Sequence, residues 1–197
     1  MRRLTPFALL LLAGCGEPDV PEYGVPLAPA EARAAAIGDL RVAAHFSIPT
    51  ERSAPVTGRV TLTFTLLDRG EPLILDFRGD SGRVTAAEVN GQLVSWSSPA
   101  GHVVLPGAAF HLGVNEVTLD FRAGEEALNR NDDFLYTLFV PDRASTALPV
   151  FDQPDLKARW TLSLDVPAGW SALGNGPLVR RDSTATGETL HFGETEP

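Results

Sequence analysis

From Leu40 onward, apolar side chains recur at every second position, and this period constrains the fold more than any other feature of the chain. Residues 60–66 read Val-Thr-Leu-Thr-Phe-Thr-Leu, and the same alternation returns at 117–121 and 160–166. Successive side chains of a strand point to opposite faces, so each segment predicts a strand with one buried face. The pair Asn90-Gly91 predicts a two-residue hairpin turn, since both residue types tolerate positive φ. Shorter strands are predicted at 72–77, 84–89, 92–96, 102–105, 134–140 and 188–192.

These short strands, separated by frequent Gly and Pro, predict an all-β domain. We expect an antiparallel β-sandwich or a saddle-like sheet. Lys and Arg total 16 against 25 Asp and Glu, which gives a net charge of −9. An acidic chain lacks the basic surface that nucleic acid requires, so we expect no nucleic-acid partner.

The N-terminus has the features of a bacterial lipoprotein signal. Arg2-Arg3 precede the apolar run 7–12, which is too short to span a bilayer. Leu12-Ala13-Gly14-Cys15 resembles a lipobox, and Cys15 is the sole cysteine. We therefore expect a signal peptide at 1–14 and lipidation at Cys15, which places the protein in the cell envelope, facing the periplasm or in the outer membrane. The alternative is a soluble secreted protein whose cysteine is incidental.

A Pro- and Ala-rich tether is predicted at 15–38, with a short helix over 29–36, and the β domain follows at 39–197. No His-Glu-x-x-His zinc motif is present, and we expect the scattered histidines to have ordinary sheet or loop roles. The run 129–133 is rich in Asn and Asp but lacks the spacing of an EF-hand, which favours a structured turn over a calcium site. The tryptophans are expected to be core or rim aromatics. In order, these histidines and tryptophans are His45, His102, His111 and His191, and Trp96, Trp160 and Trp170.

One stretch of the chain resembles a known family. Residues 148–158 read Leu-Pro-Val-Phe-Asp-Gln-Pro-Asp-Leu-Lys-Ala, and 174–177 read Gly-Asn-Gly-Pro. The chain is similar here to the N-terminal domain of the aminopeptidase N family, the gluzincin zinc aminopeptidases. That family has Phe-Pro-Cys-Phe-Asp-Glu-Pro-x-x-Lys-Ala followed by a Ser-Asn-Gly/Met-Pro turn. The resemblance extends over 39–197, with 72–77 and 89–91 at the family's early strands and hairpin.

The resemblance makes four residues candidates for the cleft side or for contact between domains: Leu138, Val140, Asp152 and Gln153. Asp152 is expected to accept backbone N–H bonds within a proline-restricted loop. The family often has a Gln and a Glu, which help to bind the substrate α-amine, where this chain has Leu138 and Val140. Neither side chain can accept a hydrogen bond, so recognition of the amine is expected to come from elsewhere or to be weakened. Val150 stands at the family's common Cys and is expected to change little.

No catalytic residue, metal ligand or cofactor is assigned in this chain. In the family, zinc is held by a following thermolysin-like domain with His-Glu-x-x-His, and we expect zinc, and the partner domain that carries it, beyond a truncation near Pro197. The expected function is the non-catalytic N-terminal β domain of a membrane-anchored zinc aminopeptidase acting on peptides, without peptidase activity of its own. The alternative is a stand-alone β-sandwich lipoprotein that acts as a binding module.

Overall fold

A computed structural model describes residues 22–68, 72–185 and 187–197. The predicted signal peptide and Cys15 lie outside these residues. Among the helices of the described ranges, none has the length and apolar character needed to cross a bilayer.

The chain begins with one α-helix and continues as strands. Helix α1 spans Leu27–Ala36, close to the predicted 29–36, and Pro29 is tolerated because it lies in the first turn. Three single turns of 3₁₀-helix occupy Ser81–Arg83, Gly107–Ala109 and Ala144–Thr146. The strands are β1 Ile37–Ser47, β2 Thr57–Leu66, β3 Leu73–Asp76, β4 Val84–Val89, β5 Gln92–Leu93, β6 His102–Leu105, β7 Gly113–Arg122, β8 Leu128–Arg130, β9 Leu135–Thr137, β10 Arg159–Pro167, β11 Leu178–Ser183 and β12 Gly187–Phe192.

Eight strands form one large sheet in the order β11-β12-β10-β1-β2-β7-β4-β5. Neighbours are antiparallel except β1 and β10, which are parallel with Val42 opposite Trp160 and Ala44 opposite Leu162. Two small antiparallel sheets, β3-β6 and β8-β9, complete the described strands. The all-β, mostly antiparallel, sandwich-like prediction is therefore confirmed.

The main core lies between the inner face of the large sheet and the small sheet β3-β6. Alternate residues of β1, β2 and β7 supply much of it, because the other half of their side chains points to the outer face. Aromatic rings pack edge to face within it, as between Phe46 and Phe121 at 5.8 Å. The largest fully buried side chains are Phe64, Phe121, Leu62, Leu75, Leu105, Leu119, Leu148, Leu190, Val56, Val60, Val103 and Val117.

Two predicted strands are shorter than expected. The predicted strand 92–96 ends at Leu93, because the chain then leaves the large sheet and Ser97 pairs with Val104 of β6. The predicted strand 134–140 is ordered as a strand only over Leu135–Thr137. The hairpin turn is confirmed, with positive φ at Asn90 (52°) and Gly91 (75°).

The tryptophans occupy the predicted core and rim positions. Trp96 and Trp160 are partly buried against the main core. Trp170 packs on a smaller cluster with Leu190 and Phe192.

Candidate functional site

The inner face of the large sheet is less buried on β10 than on its neighbours. The inner-face side chains of β1 and β2 are buried, whereas those of β10 before Val166 are only partly buried. Trp160 and Leu162 of β10 point to this face and are only partly buried, beside Ala44 of β1 and Phe192 of β12. This part of the face forms the apolar floor of a groove of about 690 Å³.

Four chain segments form the walls of this groove. They are the stretch 139–141 after β9, the loop 150–158, the turn 173–176 before β11, and the tail 193–197. The Phe-Asp-Gln-Pro loop and the Gly-Asn-Gly turn, which are far apart in sequence, therefore meet at one site. Convergence of separate loops on one groove is typical of a binding or docking surface.

Three of the four candidate residues line the groove: Val140, Asp152 and Gln153. Val140 is 79% exposed, whereas Asp152 and Gln153 are buried. Leu138 is half exposed and lies outside the lining. Whether the four residues act in a cleft or between domains stays a prediction.

Beneath the Phe-Asp-Gln-Pro loop lies a buried charge cluster centred on Asp76, at the end of β3. The Arg33 guanidinium lies 3.0 Å from one carboxylate oxygen of Asp76, and Nδ1 of His102 lies 3.1 Å from the other. The backbone N–H of Asp152 donates to Asp76 at 2.9 Å. Burial alone would raise the pKa of Asp76, but His102, Arg33 and the Asp152 N–H together hold it below its usual range. Asp76 is therefore an ionised group that ties the loop to the small sheet.

The Asp152 side chain completes the brace of the loop. Its carboxylate accepts a hydrogen bond from the backbone N–H of Ser145 at 2.8 Å. Asp152 therefore accepts a backbone N–H bond, as predicted, but the donor lies seven residues upstream and not within the loop. Burial raises the pKa of Asp152 above its ordinary value, and the nearby Asp76 charge adds to this effect.

Gln153 links the loop to the helix. Its amide nitrogen donates to the carbonyl of Ala30 in α1 at 2.8 Å and to the Asp155 carboxylate at 3.0 Å. The loop is therefore held from below by Asp76, from one side by Ser145 and from the other by α1.

The described residues hold no group of three or more His, Cys, Asp or Glu side chains able to bind a metal. His45 pairs with Asp165 and His191 with Asp182 on strands of the large sheet. His111 contacts the carbonyl of Leu112. The described part of the chain thus offers no site that fits a catalytic zinc ion.

The segment that forms most of the groove matches a known domain. Residues 124–197, from before β8 to Pro197, match the Peptidase M1 N-terminal domain. Over this segment the chain is similar to the N-terminal domain of M1 peptidases. The resemblance first seen in the Phe-Asp-Gln-Pro loop is confirmed.

The chain is similar in sequence or fold to longer proteins. A leucyl aminopeptidase of Saccharolobus solfataricus is 28% identical over 132 residues, covering 64% of this chain and 16% of that protein. The fold matches an M1 zinc metallopeptidase from Deinococcus radiodurans with a TM-score of 0.67 and 24% identity, covering 80% of this chain and 38% of that one. Leukotriene A4 hydrolase from Saccharomyces cerevisiae gives a TM-score of 0.61 and 17% identity, covering 80% and 27%. The chain spans less than half the length of each relative.

The charge cluster below the loop was not predicted from the sequence. Asp76 and Arg33 are 43 residues apart and His102 is 26 residues beyond Asp76, so no local motif joins them. One signal was available: Asp76 is a charged residue inside the apolar run 73–77. A carboxylate buried in a strand requires a cation or several donors, and His102, in another predicted strand, was a candidate partner.

Proposed function

We propose that the chain is the non-catalytic N-terminal β domain of a membrane-anchored zinc aminopeptidase that releases N-terminal residues from peptides. In this proposal the groove between β10 and the Phe-Asp-Gln-Pro loop is the face that meets the zinc-bearing domain. The observation that carries the proposal is the coincidence of two features: residues 124–197 match the M1 domain, and the same residues form most of the groove.

The apolar character of this side of the domain supports a docking role. Trp160 and Leu162 lie on the groove floor, only partly buried, and Leu173 on its wall is 98% exposed. Nearby, a row of exposed apolar side chains follows the segment at 134–140. Covering large apolar side chains is favourable by about 25 cal/mol per Å² of surface removed from water. This row is Phe134, Tyr136, Leu138 and Val140.

The rigid bracing of the loop suits a surface that must fit another domain. Asp76, Ser145 and Ala30 each hold the loop through a hydrogen bond of 2.8–2.9 Å. A pre-ordered docking surface loses little conformational entropy on association. The loop therefore acts as a support rather than as a source of catalytic groups.

Leu138 and Val140 define what this domain contributes to peptide recognition. Both are apolar and exposed, and neither can balance the charge of an α-ammonium group. In the proposed enzyme, the residues that bind the substrate amine lie on the zinc-bearing domain. That domain also supplies the zinc ion, which polarises the peptide carbonyl and activates water.

Membrane anchoring is the second part of the proposal. Lipidation at Cys15 would place the domain at the bacterial cell envelope, facing the periplasm or in the outer membrane, since two or more acyl chains anchor a protein durably. Detergent phase partitioning of the protein expressed in a lipoprotein-processing bacterium tests it. The wild type is expected in the detergent phase and Cys15→Ser in the aqueous phase. Equal partitioning of the two would contradict the anchor.

The nucleotide sequence of the gene tests the assignment to a zinc aminopeptidase. The reading frame beyond the codon for Pro197 is expected to encode a Met-Glu-Asn segment and a His-Glu-x-x-His motif. A stop codon at that point, with no such segments nearby, would favour a stand-alone binding module instead.

The chain is expected to have no peptidase activity by itself. The assay is release of a chromophore from aminoacyl p-nitroanilides by the purified chain with and without added zinc. Zinc-dependent release that is abolished by a chelator, and that co-purifies with the chain, would overturn the non-catalytic assignment.

A further inference from the structure

The segment from Glu22 to Ala36, which we name the N-terminal strap, lies against the β domain mainly through polar contacts. In α1, the helical part of the strap, only Ala30 is buried, and Leu27 is 73% exposed. A helix of this length without a broad apolar face is marginal by itself. Its position therefore depends on specific hydrogen bonds and charges.

Three side chains of the β domain hold the strap along its length. Near its end Asp76 binds Arg33 at 3.0 Å, and in its middle Gln153 donates to the Ala30 carbonyl. At its beginning His102 lies with Nε2 2.8 Å from the Glu22 carbonyl oxygen. The strap is also held by two cation–π contacts, of Arg33 with Phe151 and of Arg78 with Tyr23.

His102 differs from Asp76 and Gln153 because a histidine side chain titrates near neutral pH. Its side chain is 3% exposed, and each ring nitrogen faces an oxygen that can only accept a hydrogen bond or attract a positive charge. Nδ1 faces the Asp76 carboxylate and Nε2 faces the Glu22 carbonyl. A neutral imidazole has one N–H and one lone pair, so one of these two contacts would set a lone pair against an oxygen. Nδ1 lies outside hydrogen-bond geometry with Asp76, so that contact is a charge contact, and only the imidazolium is favourable at both oxygens.

We propose that His102 is a pH-sensitive latch, which in its protonated form fixes the beginning of the N-terminal strap and releases it on losing a proton. The neutral ring keeps its remaining proton on Nδ1, because a lone pair beside the Asp76 carboxylate is the more repulsive arrangement. The hydrogen bond that breaks is therefore the one from Nε2 to the Glu22 carbonyl. Arg33 stays charged and remains on Asp76, so the release is confined to the beginning of the strap.

The charges around His102 determine whether the strap is released at acidic or at alkaline pH. The Asp76 carboxylate raises the pKa of His102, burial opposes the rise, the Glu22 carbonyl adds to it, and Arg33 in α1 lowers it. The balance places the His102 pKa above its ordinary value of 6.5. Docking energy from a group with a raised pKa is fully present below the unfolded value and disappears as pH rises through the folded value. The beginning of the strap is therefore bound to the β domain at mildly acidic pH and released at alkaline pH.

Release would lengthen the path between Cys15 and the β domain. The five residues from Glu22 to Pro26 span up to about 17 Å when extended. This consequence for reach rests on the proposed anchoring at Cys15, whereas the latch itself does not.

The test is an NMR titration of the full chain between pH 5 and 9. The His102 imidazole and the backbone amides of Tyr23 and Gly24 are expected to shift with one common midpoint above 6.5. Amide exchange at Tyr23 and Gly24, corrected for the intrinsic effect of pH, is expected to accelerate several-fold across that midpoint. His111→Gln, which removes an exposed histidine outside the cluster, is the matched control and is expected to leave the transition unchanged.

His102→Gln is expected to remove the transition and to leave the beginning of the strap exchanging rapidly at every pH. A His102 midpoint at or below 6.5 would overturn the latch, and this measurement needs no variant. Strap amides that do not respond to pH, or that respond equally in His102→Gln, would overturn it as well. Asp152 also has a raised pKa. A transition caused by the Asp152 carboxyl group would not be accompanied by a shift of the His102 imidazole signals at the same pH, so the two titrations can be told apart.

Discussion

Replacing Asp76 by Asn tests the buried charge cluster that braces the Phe-Asp-Gln-Pro loop. The variant leaves Arg33, whose side chain is 11% exposed, without its counter-ion in a buried position. Removing one partner of a buried ion pair costs about 3–5 kcal/mol. Asn keeps an acceptor for the Asp152 N–H and His102 can give up its proton, so we expect the lower end, about 3 kcal/mol.

This loss corresponds to a melting temperature lower by about 6–12 °C for a chain of this size. Thermal unfolding followed by circular dichroism, together with urea denaturation, measures it. The matched control is Asp120→Asn, which breaks the exposed pair of Asp120 with Arg59 on the outer face of the sheet. Because both groups of that pair are solvated, we expect a loss below about 1 kcal/mol.

A double-mutant cycle with Arg33→Met isolates the ion pair. We expect a coupling free energy of about 1–3 kcal/mol between positions 33 and 76. An Asp76→Asn variant no less stable than the Asp120→Asn control, or a coupling near zero, would refute the role given to the buried cluster.

Three further tests, one of them with a control variant, probe the packing and charge of the domain. Leu148→Ala leaves a cavity at a fully buried site and should lower the free energy of unfolding by about 2–5 kcal/mol. Leu173→Ala, at a 98% exposed site, should change it by no more than about 0.5 kcal/mol. Similar urea midpoints for the two variants would count against the assigned core. Gly124→Ala should destabilise the fold by about 1–3 kcal/mol, because the added Cβ would overlap the carbonyl oxygen of Thr146. If the variant melts at the same temperature as the wild type, the backbone of Gly124 does not lie in tight contact with Thr146. Since Asp76 has a lowered pKa, its contribution to stability is present above about pH 3.9 and is lost as pH falls further. The free energy of unfolding of Asp76→Asn should therefore fall less steeply than that of the wild type below this pH, and identical pH profiles of the two would contradict this.

The strands with alternating apolar residues could be predicted because only one face of each strand is buried. In β2 the buried Val60, Leu62 and Phe64 alternate with threonines, so the period is visible in the sequence. Strand β11 was missed for the opposite reason, since all six of its residues are exposed and no apolar period marks it. Strand β1 was not assigned separately, and its register shifts between Gly38 and Arg41, where Asp39 has a positive φ of 50°.

The site was predictable only where it is continuous in sequence. The Phe-Asp-Gln-Pro loop could be recognised, and Asp152 does accept a backbone N–H bond. The cluster of Arg33, Asp76 and His102 could not, because contacts between distant strands and a helix depend on topology. The parallel pairing of β1 with β10, which builds the groove floor, likewise has no local sequence signal.

The most direct test of the groove as a docking face is hydrogen exchange on this chain alone and on the complete polypeptide encoded by its gene. We expect the backbone of 139–141 and 153–158, which lines the groove, to exchange more slowly in the complete protein. The outer face of the large sheet, including Arg59 and Asp120, should exchange equally in both. Unchanged exchange along the groove, or new protection confined to the outer face, would contradict the docking role.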